Sequence, residues 1–293
     1  MKALIIAEHA AAAAELVAGA RTMADEVVAI SFGGAYECGA DKVLNITVPE
    51  GLTVDSAVET VNAAFDAENP EIVLVEACRH MKVIAGSLAF HADTAVITDV
   101  TAFEAEGAKS MYFGGIAERV QKAAGNVAIY TVGAGVFDGA EGANGSVAEQ
   151  EWVAPACPVK VVSSQVIEKS GVNLFKADVV VAAGRGFAEE SQLSMANDLC
   201  DKLGAGLACS RPLTEGVNWL PTERYVGVSG LMLTPKAYIA VGISGQMQHM
   251  VGCNRSGAIF AINKDKNAPI FKQCDFGLIG DIKDVLPAIT AAL

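Results

Sequence analysis

The sequence predicts an α/β protein of two domains, an N-terminal doubly wound, mostly parallel sheet and a smaller C-terminal parallel-sheet domain. Three observations carry this. The chain has 293 residues, more than one ordinary core accommodates. Short apolar runs of strand length alternate with helix-like segments, as parallel βαβ units require. The apolar share is 52 %, with 6 % aromatics and 29 Gly, so it comes from small side chains that let helices pack closely on sheets.

Residues 1–7 (MKALIIA) form an apolar run of strand length, and Ala10–Ala24 has helix composition. Val27–Ser31 and Lys42–Ile46 read as strands, and Val54–Asn69 as an amphipathic helix ending before Pro70. Glu71–Glu76 (EIVLVE) is a buried strand, followed by helix over Val83–His91. Thr94–Phe103, Lys109–Gly114 and Asn126–Val132 are strands whose close spacing suggests an antiparallel excursion or edge hairpin. Residues 133–150, rich in Gly, Ala and acids, are expected to be a long exposed loop, and Val159–Val166 a last strand. Glu168–Asn173 (EKSGVN) is the expected linker, giving domains 1–168 and 169–293. A fresh strand–loop–helix unit then opens with ADVVVAAG, GRG and a helix near Ser191–Leu203.

The net charge is −13, and no cluster of Lys and Arg offers a phosphate-tracking face, so nucleic acid and anionic membrane surfaces are excluded as partners. No apolar stretch reaches the ~18 residues of a spanning helix. Seven Cys without a CxxC fit a reducing compartment, and the N-terminus lacks the pattern of a secretory signal, so a cytoplasmic location is expected.

Chemistry concentrates where apolar strands end. In Ala237–Phe271, a strand over Tyr238–Ile243 leads into Ser244-Gly245 and a helix opening at Gln246–Met250. A second strand, Ile259–Ile262, ends at Asn263. Ligands of open α/β sheets lie beyond the carboxyl ends of strands, so Ser244, Gln248, His249 and Asn263 are expected to converge on one crevice. Two further strands end in Gly184-Arg185-Gly186 and Ser210-Arg211-Pro212, each placing an Arg where it can meet phosphate or another anionic group. Arg, Arg and His at three strand ends suggest a large, phosphate-bearing cofactor.

The segments VVVAAGRG, GLACSRP, RYVGVSG, AYIAVGISGQMQH, AIFAINKD and APIFKQCDFGLIGD closely resemble the α subunit of electron-transfer flavoproteins, in order and spacing. MKALIIAEH, the helix around 54–65 and the region up to EWVAPA resemble it more weakly. The resemblance implies an α/β heterodimer with FAD in the C-terminal domain and a short, prokaryotic-type member of the family. It places Arg185 by the flavin, Ser210 at the pyrophosphate and Arg211 against the isoalloxazine. Ser229 would lie at the ring edge near N5, Ser244 and Gln248 at the phosphate and ribityl chain, with Gly245 also among the cofactor-binding residues. His249 lies near the C2 carbonyl, where it stabilises the charge gained on reduction, and Asn263 and Asp281 at the adenosine end. Tyr225 stands where many members carry a smaller amide-bearing residue. The implied role is an electron shuttle between a flavin dehydrogenase, of the acyl-CoA type or another, and a quinone- or ferredoxin-linked acceptor, with no bond-making site of its own. Two alternatives are an electron-bifurcating, NADH-dependent relative and a non-redox adenine-nucleotide module. Arg185, Arg211 and His249 are expected to invert the acidic charge locally.

Other patterns are set aside. Gly133, Gly135 and Gly139 mimic a dinucleotide loop without a following helix. Cys78, His80 and His91 match no standard zinc spacing. Glu8-His9 ends the first strand and faces a possible crevice, where a structural role is favoured.

Overall fold

The computed structural model describes residues 1–115, 117–139, 142–165 and 173–293. The chain divides into two compact units, Met1–Tyr112 with Glu118–Val166, and Phe113–Ala117 with Ile167–Leu293. The expected linker falls outside the described residues, except for Asn173.

The first unit is built on β1 (Lys2–Ile6), β2 (Glu26–Phe32), β3 (Lys42–Ile46), β4 (Ile72–Glu76), β5 (Val96–Glu104), β6 (Gly107–Tyr112), β7 (Ala117–Gln121), β8 (Ala128–Val132) and β9 (Ser146–Glu149). They lie in the order β7-β6-β5-β8-β4-β1-β2-β3-β9. The pairs from β8 to β3 are parallel, and β5–β6 is antiparallel, the expected excursion. Alternation along β1 explains why both faces are covered. Leu4 and Ile6 pack with α2 (Val58–Glu68) and α3 (Arg79–His91), while Ala3 and Ile5 pack with α1 (Ala10–Ala20). The expected helix 54–69 divides into a 3₁₀ turn, Val54–Ala57, and α2, which stops at Asn69 in the left-handed region (φ 48°) just before Pro70.

Two expectations are corrected here. The exposed loop 133–150 contains β9, which pairs in parallel with β3 and is held by Asn45 Nδ2 donating to Glu149. The expected strand 159–166 does not form over its described residues. Lys160 makes one isolated bridge to Leu52, and Val159 is tied to Ser56 and Thr53. These hydroxyl contacts satisfy the backbone that a sheet neighbour would otherwise serve.

The second unit holds β10 (Val179–Ala183), β11 (Gly206–Cys209), β12 (Ala237–Val241), β13 (Ile259–Asn263) and β14 (Phe276–Ile279), all parallel, in the order β11-β10-β12-β13-β14. One face carries α4 (Leu193–Leu203) and α6 (Ile282–Ala292). Leu193, Ala196, Leu199 and Cys200 recur at helical spacing and bury one stripe of α4, which Gly204 ends at φ 61°. Each fully buried Leu in that stripe contributes about 1.5–3 kcal/mol of transfer energy. The other face packs Met250, from the one-turn α5 (Met247–Met250), with Leu233 and Ile270.

Candidate functional site

Order 2-1-3-4-5 puts the topological switch point between β10 and β12, where connections leave in opposite directions and open a crevice. The loops after these strands are knitted by backbone bonds. Gly184 N donates to Val241 O at 2.9 Å, and Gly186 N to Gly242 O at 2.9 Å. Gly242 holds φ +63°, and a Cβ there would stand 2.7 Å from Gly186 Cα. Only glycine lets the two loops approach so closely.

A cleft of about 410 Å³ opens above this crossing, bordered by the carboxyl ends of β10, β11, β12 and β13. It brings together Arg185, Ser210, Arg211, Tyr225, Ser244, Gln248, His249 and Asn263. The other three predicted residues stand outside its lining. Ser229 Oγ lies 3.4 Å from the Tyr225 hydroxyl. Gly245 turns the loop at φ +85° against the Ile270 backbone. Asp281 caps α6, accepting from Lys283 N at 3.0 Å.

Among the described residues, the backbone N–H groups of Ser244 to Gln248 donate to no other protein group. Of these residues Ser244, Gln246 and Gln248 line the cleft, and unpaired backbone N–H groups are the kind of donor an anion takes. The expected helix at Gln246 is only the single turn α5.

His249 is buried, at 7 % exposure. Its Nε2 lies 2.9 Å from the Tyr238 hydroxyl, and its Nδ1 is buried without a hydrogen-bond partner. Burial pulls the imidazole down to about pKa 4, against the opposing pull of the Val226 backbone. The ring is therefore neutral at pH 7. Arg211 is paired, its Nε 2.6 Å from Glu215 Oε2. Asp265, which sequence reasoning missed although it stands two residues beyond β13, adds a carboxylate to the lining. The expected charge inversion is consequently reduced, with Arg185 and the paired Arg211 facing Asp265 and no charge from His249. Asn263 is committed to its own loop, donating to Ile243 O at 2.9 Å and accepting from Asp265 N at 3.0 Å. Tyr225 is buried against Gly227 and Gly230, which leave room for its ring.

In the first unit, β1 and β4 flank another switch point, and Glu8-His9 follows β1 there. Glu76 accepts from the backbone N of Glu8 and His9 and pairs with the His9 ring at 2.7 Å. Glu8 takes His80 at 3.0 Å and the Cys78 thiol at 3.3 Å. Glu8, His9 and Cys78 offer ligand atoms within 4.8 Å of one another. Burial, aided by the Glu76 and Glu8 charges, raises the Cys78 thiol to about pKa 11, away from the thiolate a metal takes. The matched donors and acceptors knit the ends of β1 and β4. Among the described residues no helix is long and apolar enough to cross a membrane.

Fold and cleft define an α/β protein of the doubly wound class with a polar cleft at the switch point of its second sheet. Residues 3–156 match the family described as electron transfer flavoprotein domain, and residues 173–254 match electron transfer flavoprotein FAD-binding domain. The chain is 39 % identical to "Protein FixB" of Escherichia coli O157:H7, over 95 % of this chain and 94 % of that protein. It is likewise 39 % identical to "Protein FixB" of Shigella flexneri, with the same coverage. The chain belongs to the electron transfer flavoprotein family and is of its α-subunit type.

Proposed function

We propose that this chain holds FAD in the C-terminal cleft and pairs with a β subunit through residues 1–168. In this role it carries electrons from an acyl-CoA-type or other flavin dehydrogenase to a quinone- or ferredoxin-linked acceptor. The observation that carries the reading is the buried, unpartnered Nδ1 of His249, a residue that lines the cleft beside backbone N–H groups without protein partners. A buried polar atom without a partner is costly, and a ligand acceptor relieves that cost. The residues present fit FAD. The N–H groups of Ser244, Gln246 and Gln248 and the hydroxyls of Ser210 and Ser244 suit a pyrophosphate, and His249 suits a carbonyl oxygen of the flavin ring. When bound, the flavin supplies one- and two-electron transfer. The chain's residues bind it, orient it and set its potential through nearby charge and hydrogen bonds. Residues 169–293 form the FAD-binding domain in this reading.

A second partner surface, separate from the one proposed for the β subunit, is supported by β14 of the second unit. It is an edge strand with Phe276, Leu278 and Ile279 exposed and Phe276 stacked on Phe260 at 5.0 Å. Such an edge invites association when nothing covers it.

Arg211 has to exchange Glu215 for the flavin to act on it. Arg211→Ala is expected to disfavour reduction of the bound flavin by a few-fold to about tenfold, and Glu215→Gln to favour it. A spectroelectrochemical titration checks both signs, and equal potentials in all three proteins refute the role. The shuttle itself is tested by mixing the complex, copurified with its β subunit, with a reduced flavin dehydrogenase in a stopped-flow absorbance experiment. Bleaching of the flavin band within turnover time is expected. A bound flavin that stays oxidised with every such donor contradicts the shuttle. Rapid bleaching by NADH alone identifies the bifurcating alternative.

A further inference from the structure

We propose that Tyr238 is a positioning residue for the cleft: its hydroxyl donates to Nε2 of His249 and fixes the ring as the Nδ1–H tautomer. Nδ1–H then becomes the donor that the imidazole offers to an acceptor in the cleft. The identity of that acceptor as a flavin carbonyl rests on the FAD reading, whereas the tautomer does not.

Tyr238 lies on β12, fully buried in an apolar cluster with Val180, Ala208 and Met250. A phenol hydroxyl in such surroundings needs an acceptor, and Nε2 of His249 stands 2.9 Å away. The Cys253 thiol is the weaker alternative, and its own proton points to the His249 carbonyl oxygen at 4.0 Å. The titratable groups around the pair are Cys253 and, on β11, Cys209, both raised to about pKa 12 by burial. They are neutral thiols at pH 7, and no carboxylate hydrogen-bonds to the ring to stabilise an imidazolium.

A neutral imidazole has one N–H and one lone pair. If Nε2 accepts, Nδ1 carries the hydrogen. Nδ1 is the atom left buried and unpartnered. In the opposite tautomer it would present a lone pair, which repels a carbonyl oxygen gaining electron density. The hydroxyl of Tyr238 therefore decides whether His249 attracts or repels such a group, although Tyr238 is not itself among the cleft-lining residues.

The test is long-range ¹H–¹⁵N spectroscopy of the full chain without FAD at neutral pH, with His249 assigned by the signals that disappear in His249→Gln. The expected result is a pyrrole-type Nδ1 and a pyridine-type Nε2, and in Tyr238→Phe a shift of population towards Nε2–H. A wild-type chain protonated at Nε2, or a folded Tyr238→Phe with an unchanged tautomer, overturns the proposal. If Tyr238→Phe does not fold, the wild-type spectrum alone decides. With FAD bound, Tyr238→Phe is expected to disfavour reduction about fivefold, the worth of one ordinary hydrogen bond. An Nδ1–H tautomer in a protein that binds no FAD would sink the cofactor reading and leave the positioning role standing.

Discussion

Lowering the pH from 6.5 to 4 is expected to cost the second unit about 3 kcal/mol of stability through His249 alone. The imidazole falls from the ordinary 6.5 to about 4 because it is buried. Between those values the unfolded chain binds a proton that the folded chain refuses, so stability rises with pH across the window. The contribution is complete above pH 6.5 and is lost as pH falls through about 4. The difference between wild type and His249→Gln isolates the effect, because glutamine can still accept from Tyr238 and does not titrate. Urea unfolding of the unliganded chain at several pH values should show a shallower acid loss in His249→Gln, by about 3 kcal/mol over the window. Parallel curves for the two proteins would show that the ring is not buried and neutral.

Gly242→Val is expected to remove about 2–5 kcal/mol from the same unit. Part is the strain of a β-branched residue at φ +63°, and part is collision with the Gly186 backbone, which cannot swing aside as a side chain can. For a unit of this size the loss lowers its melting temperature by roughly 10–20 °C. The loops after β10 and β12 should separate as they relax, so FAD affinity is expected to fall even in the fraction that stays folded. Calorimetry with a flavin titration measures both, and a variant with wild-type melting and affinity would contradict the close loop crossing.

Much of the cleft was legible in the sequence because it follows from topology. Apolar strands ending in GRG, SRP and GISG place their polar residues at carboxyl ends whatever the details of packing, and eight of the predicted residues line the cleft. Pairing was not legible. Nothing in the local pattern shows that Glu215 takes Arg211, that Asn263 is spent on its own loop or that burial leaves His249 uncharged. Those outcomes depend on three-dimensional neighbours. Among fold elements, β9 escaped because SVAE is exposed along its length, an edge strand without an apolar signal. β14 is exposed in the same way, and α6 carries Pro287 in its interior, a residue that ordinarily argues against helix. Residues 159–165 misled for the opposite reason. Their valines have strand propensity, but Ser56 and Thr53 side chains and backbone satisfy them instead.

The most direct measurement is the visible absorption spectrum of the full chain purified with its β subunit, followed by acid release and identification of any bound nucleotide. The expected result is the oxidised flavin spectrum, FAD as the released species, and loss of that FAD when Arg185 and Ser244 are both replaced by Ala. A colourless complex that releases only an adenosine phosphate, or a flavin retained undiminished by the double variant, would contradict FAD binding in this cleft.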